Sequence, residues 1–307
     1  MSQVFLFHIV LVGGILLSLS SDSLLLVWVG LELSSICFIA LLSQNRSISE
    51  MVGCYSYFLF QEVGSYFFLV GGLGGWGAFS DLGLIVKLGG APFHIWMLIA
   101  VQSVSWVNCF LLLVAQKLAP LFLLGHTGGV YWCGLASVVV GAIGMVGQSS
   151  VRQILAYSSV NQTGWMLIIA YLSINILKIY FMIYFIIMVL SLLFLHQSIV
   201  YEKSGEGSWG VGLVGVSLFL VSLSGFPPLV GFLFKWGGVT EFIGGGDFLI
   251  SGCVMVASVF STYVYFSLGY KILVFSKLFG FTSSGLVAGL FLVGVGFPPS
   301  YFLWGCL

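Results

Sequence analysis

Charge is what this sequence has least of. Only 6% of its 307 residues are Asp, Glu, Lys or Arg, against about a quarter in a water-soluble domain, so the chain has too little polar surface to coat a globule in water. Nine basic and nine acidic residues cancel, and no Lys/Arg cluster is present to hold phosphates, which excludes nucleic-acid binding on electrostatic grounds. Proline is scarce, at six residues, and so is cysteine, also at six. Cys37, Cys54, Cys109, Cys133, Cys253 and Cys306 stand singly, without a Cys-x-x-Cys pair or metal-ligand spacing, and read as packing residues. No basic region precedes the first apolar run, so no cleavable targeting segment is expected. No two-His, Cys-His or nucleotide motif supports a haem, iron–sulfur or NAD site, and no cofactor or metal is expected in this chain.

What is abundant is apolar length. The chain is 60% hydrophobic, with a mean hydropathy of +1.18. Its apolar runs reach about twenty residues or more, enough to cross roughly 30 Å of hydrocarbon as helices, and they lack the alternation of barrel strands. The expected fold is all-α: a polytopic transmembrane helical bundle, one transmembrane domain in contact with membrane lipids. Spans are expected at about 3–20, 23–43, 51–75, 79–102, 104–125, 130–148, 152–172, 175–198, 210–243, 247–272 and 283–305, about eleven helices in all.

Two of these spans are irregular. The fourth contains Lys87-Leu-Gly-Gly-Ala-Pro-Phe-His-Ile-Trp96, in which Pro92 removes a backbone donor and the glycine pair lowers the cost of leaving helical geometry. The ninth contains Ser224-Gly-Phe-Pro-Pro-Leu-Val-Gly231 followed by Lys235. Two broken helices, each beside a lysine and each fourth in a run of five, suggest two five-helix repeats, about 3–125 and 130–272, with an extra C-terminal helix at about 283–305. Five crossings is odd, so the repeats would be inverted. Arg46, Arg152, Lys203, Lys271 and Lys277 fall on one side of this arrangement, which puts the N-terminus on the matrix side of a mitochondrial inner membrane, or on the cytoplasmic side in a bacterial frame. Asp22, Asp81 and Asp247 each open a span and read as helix N-caps.

Removing loop and end charges leaves Glu32, Glu62, Lys87, Lys117 and Lys235 at membrane depth. An ionised side chain there costs about 2.5–3.5 kcal/mol on insertion scales unless it faces protein, water or a counter-charge. Glu32 and a lysine from another span are natural partners. Burial disfavours an ammonium and a neighbouring carboxylate favours it, so moving the carboxylate toggles the lysine between holding and releasing a proton. For a single Glu and Lys the simpler reading is a static ion pair; ionisable groups on several separate spans point instead to a proton pathway. His94, and with less force His126, are candidate relays. The sequon at Asn161 lies inside a span and the one at Asn45 on the inner side, so neither reads as glycosylated.

The same residues carry a resemblance. Lys87-Leu-Gly-Gly-Ala-Pro-Phe-His-Ile-Trp96, Gln116-Lys-Leu-Ala-Pro120, Ala156-Tyr-Ser-Ser159 with Gly164-Trp-Met166, Ser224-Gly-Phe-Pro-Pro-Leu-Val-Gly-Phe-Leu-Phe-Lys-Trp236 and Trp28-Val-Gly-Leu-Glu32 together resemble the subunit 2 family of mitochondrial NADH:ubiquinone oxidoreductase, respiratory complex I. The resemblance implies an antiporter-like subunit of the membrane arm, shortened at its N-terminus, working among other membrane-arm subunits. NADH, FMN, iron–sulfur clusters and ubiquinone would then be handled on other subunits. By motif match Glu32 would modulate Lys87, Lys117 would be the linking lysine, and Lys235 the terminal lysine near the exit. Gln153 and Glu62 depart from the family pattern, Glu62 standing where a small or neutral residue is common. A free-standing proton/cation antiporter and a purely structural membrane-arm subunit are the rival readings.

Overall fold

Four helices begin by one device, a serine whose side chain accepts a hydrogen bond from the backbone three residues on. Ser23 accepts from Leu26 N at 3.4 Å, Ser47 from Glu50 N at 3.2 Å, Ser105 from Asn108 N at 3.4 Å and Ser150 from Gln153 N at 3.3 Å. The computed structural model describes residues 2–44, 47–148, 150–204, 219–226, 229–246 and 248–278. Among these the chain is helical and divides after Ile174 into two compact units.

The first unit contains α1 (Ser2–Ser20), α2 (Leu24–Leu42), α3 (Ile48–Gly74), α4 (Gly77–Leu88), α5 (Ile95–Ser103), α6 (Trp106–Phe110), a π-helical turn (Leu111–Ala115), α7 (Gln116–Phe122), α8 (Gly128–Met145) and α9 (Val151–Leu172). The second contains α10 (Ile174–Ser204, its first residue closing the first unit), helical residues 219–224 (α11), α12 (Val230–Gly244) and α13 (Phe248–Leu278). Within the first unit α2 packs on α1 and α3, α3 on α4 and α5, α4 on α7 and α8, and α9 on α5, α7 and α8.

The solvent logic is inverted relative to a water-soluble protein. Phe5, Leu6, Ile9, Val12 and Leu16 on α1 are exposed, whereas Gln61, Asp81, Lys87, Lys117, Asn161 and Gln162 are buried. Without a hydrophobic drive between helices in lipid, close packing of small residues holds the pairs together. Gly14 and Gly30 bring α1 against α2, since a Cβ on Gly30 would lie 2.7 Å from Gly14 O. Gly141 and Gly164 do the same for α8 and α9: a Cβ on Gly141 would lie 2.5 Å from Asn161 N, and one on Gly164 2.6 Å from Val138 N. Backbone cannot yield to a methyl group at these positions. Gly141→Val is therefore expected to force α8 and α9 apart, at about 1–3 kcal/mol for overpacking. The measurable result is less assembled protein on native gels and a lower melting temperature.

The expected helices correspond to the described ones within a few residues, with three differences. First, four described helical stretches are long and apolar enough to cross a membrane by length and composition alone: Leu24–Leu42, Gly128–Met145, Ile174–Ser191 and Ile250–Tyr270. Val4–Ser20 and Trp106–Phe122 are apolar but shorter, and the interruption between α4 and α5 divides another stretch. Second, Asp22 is not the cap of α2; Ser23 is. Third, Asp81 lies inside α4, where its carboxylate accepts from Gly125 N at 2.8 Å and from Thr127 Oγ1 at 2.6 Å, tying α4 to the connection before α8. Two donors on one loop satisfy that carboxylate better than its own helix start. Arg46, Asp247, Pro227, Pro228 and the eleventh span lie outside the described residues.

Candidate functional site: buried lysines at helix interruptions

Lys87 occupies the last turn of α4, where the final carbonyls of a helix lack intrahelical donors and carry the negative end of the helix dipole. Gly89, at φ +69°, turns the chain out of the helix, a backbone conformation that suits glycine. The freed carbonyls find side chains from elsewhere. Val86 O accepts from Trp96 Nε1 at 3.2 Å and Lys87 O from Gln61 Nε2 at 3.2 Å. Beyond the turn, Ala91 N donates to Ser137 Oγ of α8 at 2.8 Å, so the interruption is held open by three different helices.

The Lys87 side chain is 2% exposed and Nζ lies 3.4 Å from Glu32 Oε1 of α2, whose side chain is 12% exposed. This is the expected pair. Room for it comes from α3: a Cβ on Gly64 would meet Lys87 Cγ at 2.8 Å. Glu62 stands two residues earlier on the same turn of α3. Glu62 is partly buried. Sequence reasoning put Glu62 at membrane depth without a role.

Lys117 follows directly on the π-helical turn, a feature that often marks functional positions. It is 2% exposed, and Nζ donates to Ser159 O of α9 at 3.0 Å. Pro120 does not interrupt the helix, and α7 continues through it to Phe122. What the proline does is leave Gln116 O without its intrahelical donor. The neighbouring Gln116 side chain donates to Ser34 O at 3.2 Å, which ties the Lys117 turn to α2 two residues beyond Glu32.

In the second unit α11 ends at Ser224, Gly225 has φ +76°, and α12 starts at Val230. Lys235 is 5% exposed. Its Nζ donates at 2.6 Å to Ser224 O, the carbonyl at the α11 end. A Cβ on Gly225 would lie 2.5 Å from Lys235 Cδ, so glycine at this turn also clears the path of the lysine stem. Lys87 and Lys235 are thus both buried beside a helix that stops at a left-handed glycine, Lys87 in its last turn with Nζ on Glu32 and Lys235 on the following helix with Nζ on the terminal carbonyl.

His94 sits in the interruption itself, its ring 6.3 Å from that of Tyr157. Among the described residues it makes no ion pair or hydrogen bond with Lys87 or Lys117. His126 lies in the exposed connection before α8, near Tyr171 O at 3.3 Å. The structure therefore brings together Glu32 and Lys87. It sets Lys117 on a helix linked to theirs.

An all-α bundle, apolar outside and carrying buried lysines at its helix interruptions, is the architecture of an antiporter-like membrane subunit. Residues 76–261, more than half of the chain, match the NADH:quinone oxidoreductase/Mrp antiporter transmembrane family. The NADH-ubiquinone oxidoreductase chain 2 of Locusta migratoria is 32% identical over 260 residues, 76% of this chain and 75% of that one. Its counterpart from Artemia franciscana is 32% identical over 269 residues, 85% and 87% of the two chains. This chain belongs to the NADH-ubiquinone oxidoreductase chain 2 family. Its fold is shared with a chain of respiratory complex I from Thermus thermophilus, at a TM-score of 0.81 and 24% identity over 99% of this chain and 80% of that one. A chain of the archaeal membrane-bound sulfane sulfur reductase gives the same TM-score at 18% identity, over 96% and 73% of the two chains.

Proposed function

We propose that this chain carries protons through the membrane arm of NADH:ubiquinone oxidoreductase, respiratory complex I, with Glu32 and Lys87 as the first protonatable pair, Lys117 as the link and Lys235 as the terminal lysine. His94 stands as a relay beside the α4–α5 interruption. The observation that carries the reading is the buried Lys87–Glu32 pair at the carbonyl end of an interrupted helix. There a carboxylate 3.4 Å from the ammonium sets how firmly the lysine holds its proton.

The enzyme is the H+-translocating NADH:ubiquinone reductase. NADH oxidation at FMN, electron transfer through iron–sulfur clusters and reduction of ubiquinone belong to other subunits, while this chain works on protons alone. Its partners are the neighbouring membrane-arm subunits, reached by lateral helix packing, and the lipids around them. It crosses the inner mitochondrial membrane several times, with its N-terminus on the matrix side. The single transmembrane domain of about eleven helices is read as two inverted five-helix repeats, about 3–125 and 130–272, and a final helix at about 283–305. The likeness of the Lys87 and Lys235 turns supports the repeat. The identity to chain 2 relatives favours this reading over a free-standing proton/cation antiporter.

Glu32→Gln tests it. The amide keeps the shape and removes the charge, so the complex is expected still to assemble, in an amount followed by its flavin and iron–sulfur content, to which the proton yield is normalised. In reconstituted vesicles the number of protons moved per NADH is expected to fall. An unchanged ratio would leave the pair a static contact.

A further inference from the structure

Lys117 shares its acceptor. Ser159 O on α9 receives the Lys117 ammonium at 3.0 Å and also lies 3.1 Å from the Thr163 hydroxyl, one turn further along the same helix. Within α9 the backbone N–H of Thr163 is the regular donor to this carbonyl. Three donors therefore face an oxygen that has two lone pairs. The Thr163 hydroxyl has a second acceptor, Val160 O, at 2.7 Å. The Ser159 hydroxyl is engaged elsewhere, with Ala156 O at 2.7 Å and Met97 Sδ at 3.5 Å. The whole cluster is shielded from solvent, since Lys117 is 2%, Ser159 1% and Thr163 0% exposed.

A threonine in a helix divides its time between two rotamers because its hydroxyl can bond the carbonyl three or four residues back. Its single proton serves one of them at a time. With the ammonium on Ser159 O, both lone pairs of that oxygen are taken and the hydroxyl donates to Val160 O, the shorter of its two contacts. When Lys117 swings away to hand on its proton, Ser159 O loses a charged donor in a buried setting, where a missing donor is costly. Rotation about one side-chain bond then moves the Thr163 hydroxyl from Val160 O to Ser159 O, while Val160 O keeps the backbone N–H of Gly164. We infer that Thr163 is a positioning residue for Lys117: its hydroxyl takes the ammonium's place on Ser159 O when the lysine leaves and yields it when the lysine returns. The inference rests on the proton-pathway reading above, in which Lys117 is the link. The exchange holds the lysine in place yet lowers the cost of releasing it.

The test uses the intact complex carrying Thr163→Val, which keeps the shape and loses the hydroxyl, or Thr163→Ser, which keeps the hydroxyl and loses the methyl group, with Lys117→Met as reference. Two properties are read in reconstituted vesicles: coupled NADH oxidation per flavin, and protons moved per NADH. Thr163→Val is expected to slow coupled turnover by about two- to tenfold, the range that one hydrogen bond supplies, and Thr163→Ser to turn over like the native protein. A role in packing alone would give the opposite order, because valine fills the same space and serine does not. If the valine variant fails to assemble, Thr163→Ala is compared with Thr163→Ser, since the two differ by one oxygen atom. Equal turnover with and without the hydroxyl, or slowing in the serine variant alone, would overturn the inference; a reduced proton yield in Lys117→Met would then leave the pathway standing. Full proton yield in Lys117→Met would overturn both.

Discussion

Lys235→Met is expected to leave the complex assembled and to abolish the share of proton translocation that passes through this chain. Methionine matches the length of the lysine stem, so the path cleared by Gly225 stays filled. What it removes is the ammonium that donates to Ser224 O at 2.6 Å. Leaving that carbonyl at the end of α11 without its donor costs about 1–3 kcal/mol, a loss that helix packing within the second unit can absorb. The functional loss is larger, because no group on the methionine can take up or release a proton. Lys235→Arg separates charge from proton release: a guanidinium stays protonated under all physiological conditions. It also has to fit where a Cβ on Gly225 would already come within 2.5 Å of the native side chain. The arginine variant is expected to oxidise NADH with a proton yield as low as that of the methionine variant. Proton uptake by reconstituted vesicles, measured against NADH oxidation, checks both. An arginine variant that pumps at the full ratio would rule out proton release from this residue.

Lys87→Met is expected to have the second largest effect, and to differ in kind. Here the partner left behind is a carboxylate with 12% of its side chain exposed, and removing one member of a buried pair costs about 3–5 kcal/mol when the other charge stays uncompensated. Assembly should therefore fall but remain measurable, and proton translocation should fall with it beyond what the loss of assembled complex accounts for. The check is proton yield per NADH normalised to flavin content. Combining Lys87→Met with Glu32→Gln removes both charges of the pair and should recover assembly without recovering translocation. If the double variant assembled no better than Lys87→Met alone, the buried negative charge would not be the source of the lost stability.

Much of this was legible in one dimension, because a membrane protein advertises its interior by charge. Glu32, Lys87, Lys117 and Lys235 stand out since a charge inside an apolar run of helical length must be sheltered by protein or water. The helix interruptions were equally plain, because Gly89 and Gly225 sit where the chain must leave helical geometry, next to lysines on the same segments. Membership of a helical, antiporter-like family followed from motifs that are local strings. The interpretation of Asp81 failed for the complementary reason: a carboxylate near a helix start has a local partner within reach, and only the fold brings Gly125 N and Thr127 Oγ1 closer.

By itself, then, the sequence determined the solvent, the helices, the interruptions and the buried lysines, because these depend on hydropathy and backbone chemistry within a few residues. Partnership was decided by the tertiary structure. Lys87 meets Glu32 across 55 residues of chain because α3 packs on both α2 and α4, with Gly64 letting the lysine stem cross its surface. Lys117 reaches Ser159 O across 42 residues of chain, after a π-helical turn that no residue type announces. Hydrogen bonds and ion pairs act through space over a few ångströms, and which groups come within that distance is set by how the helices pack.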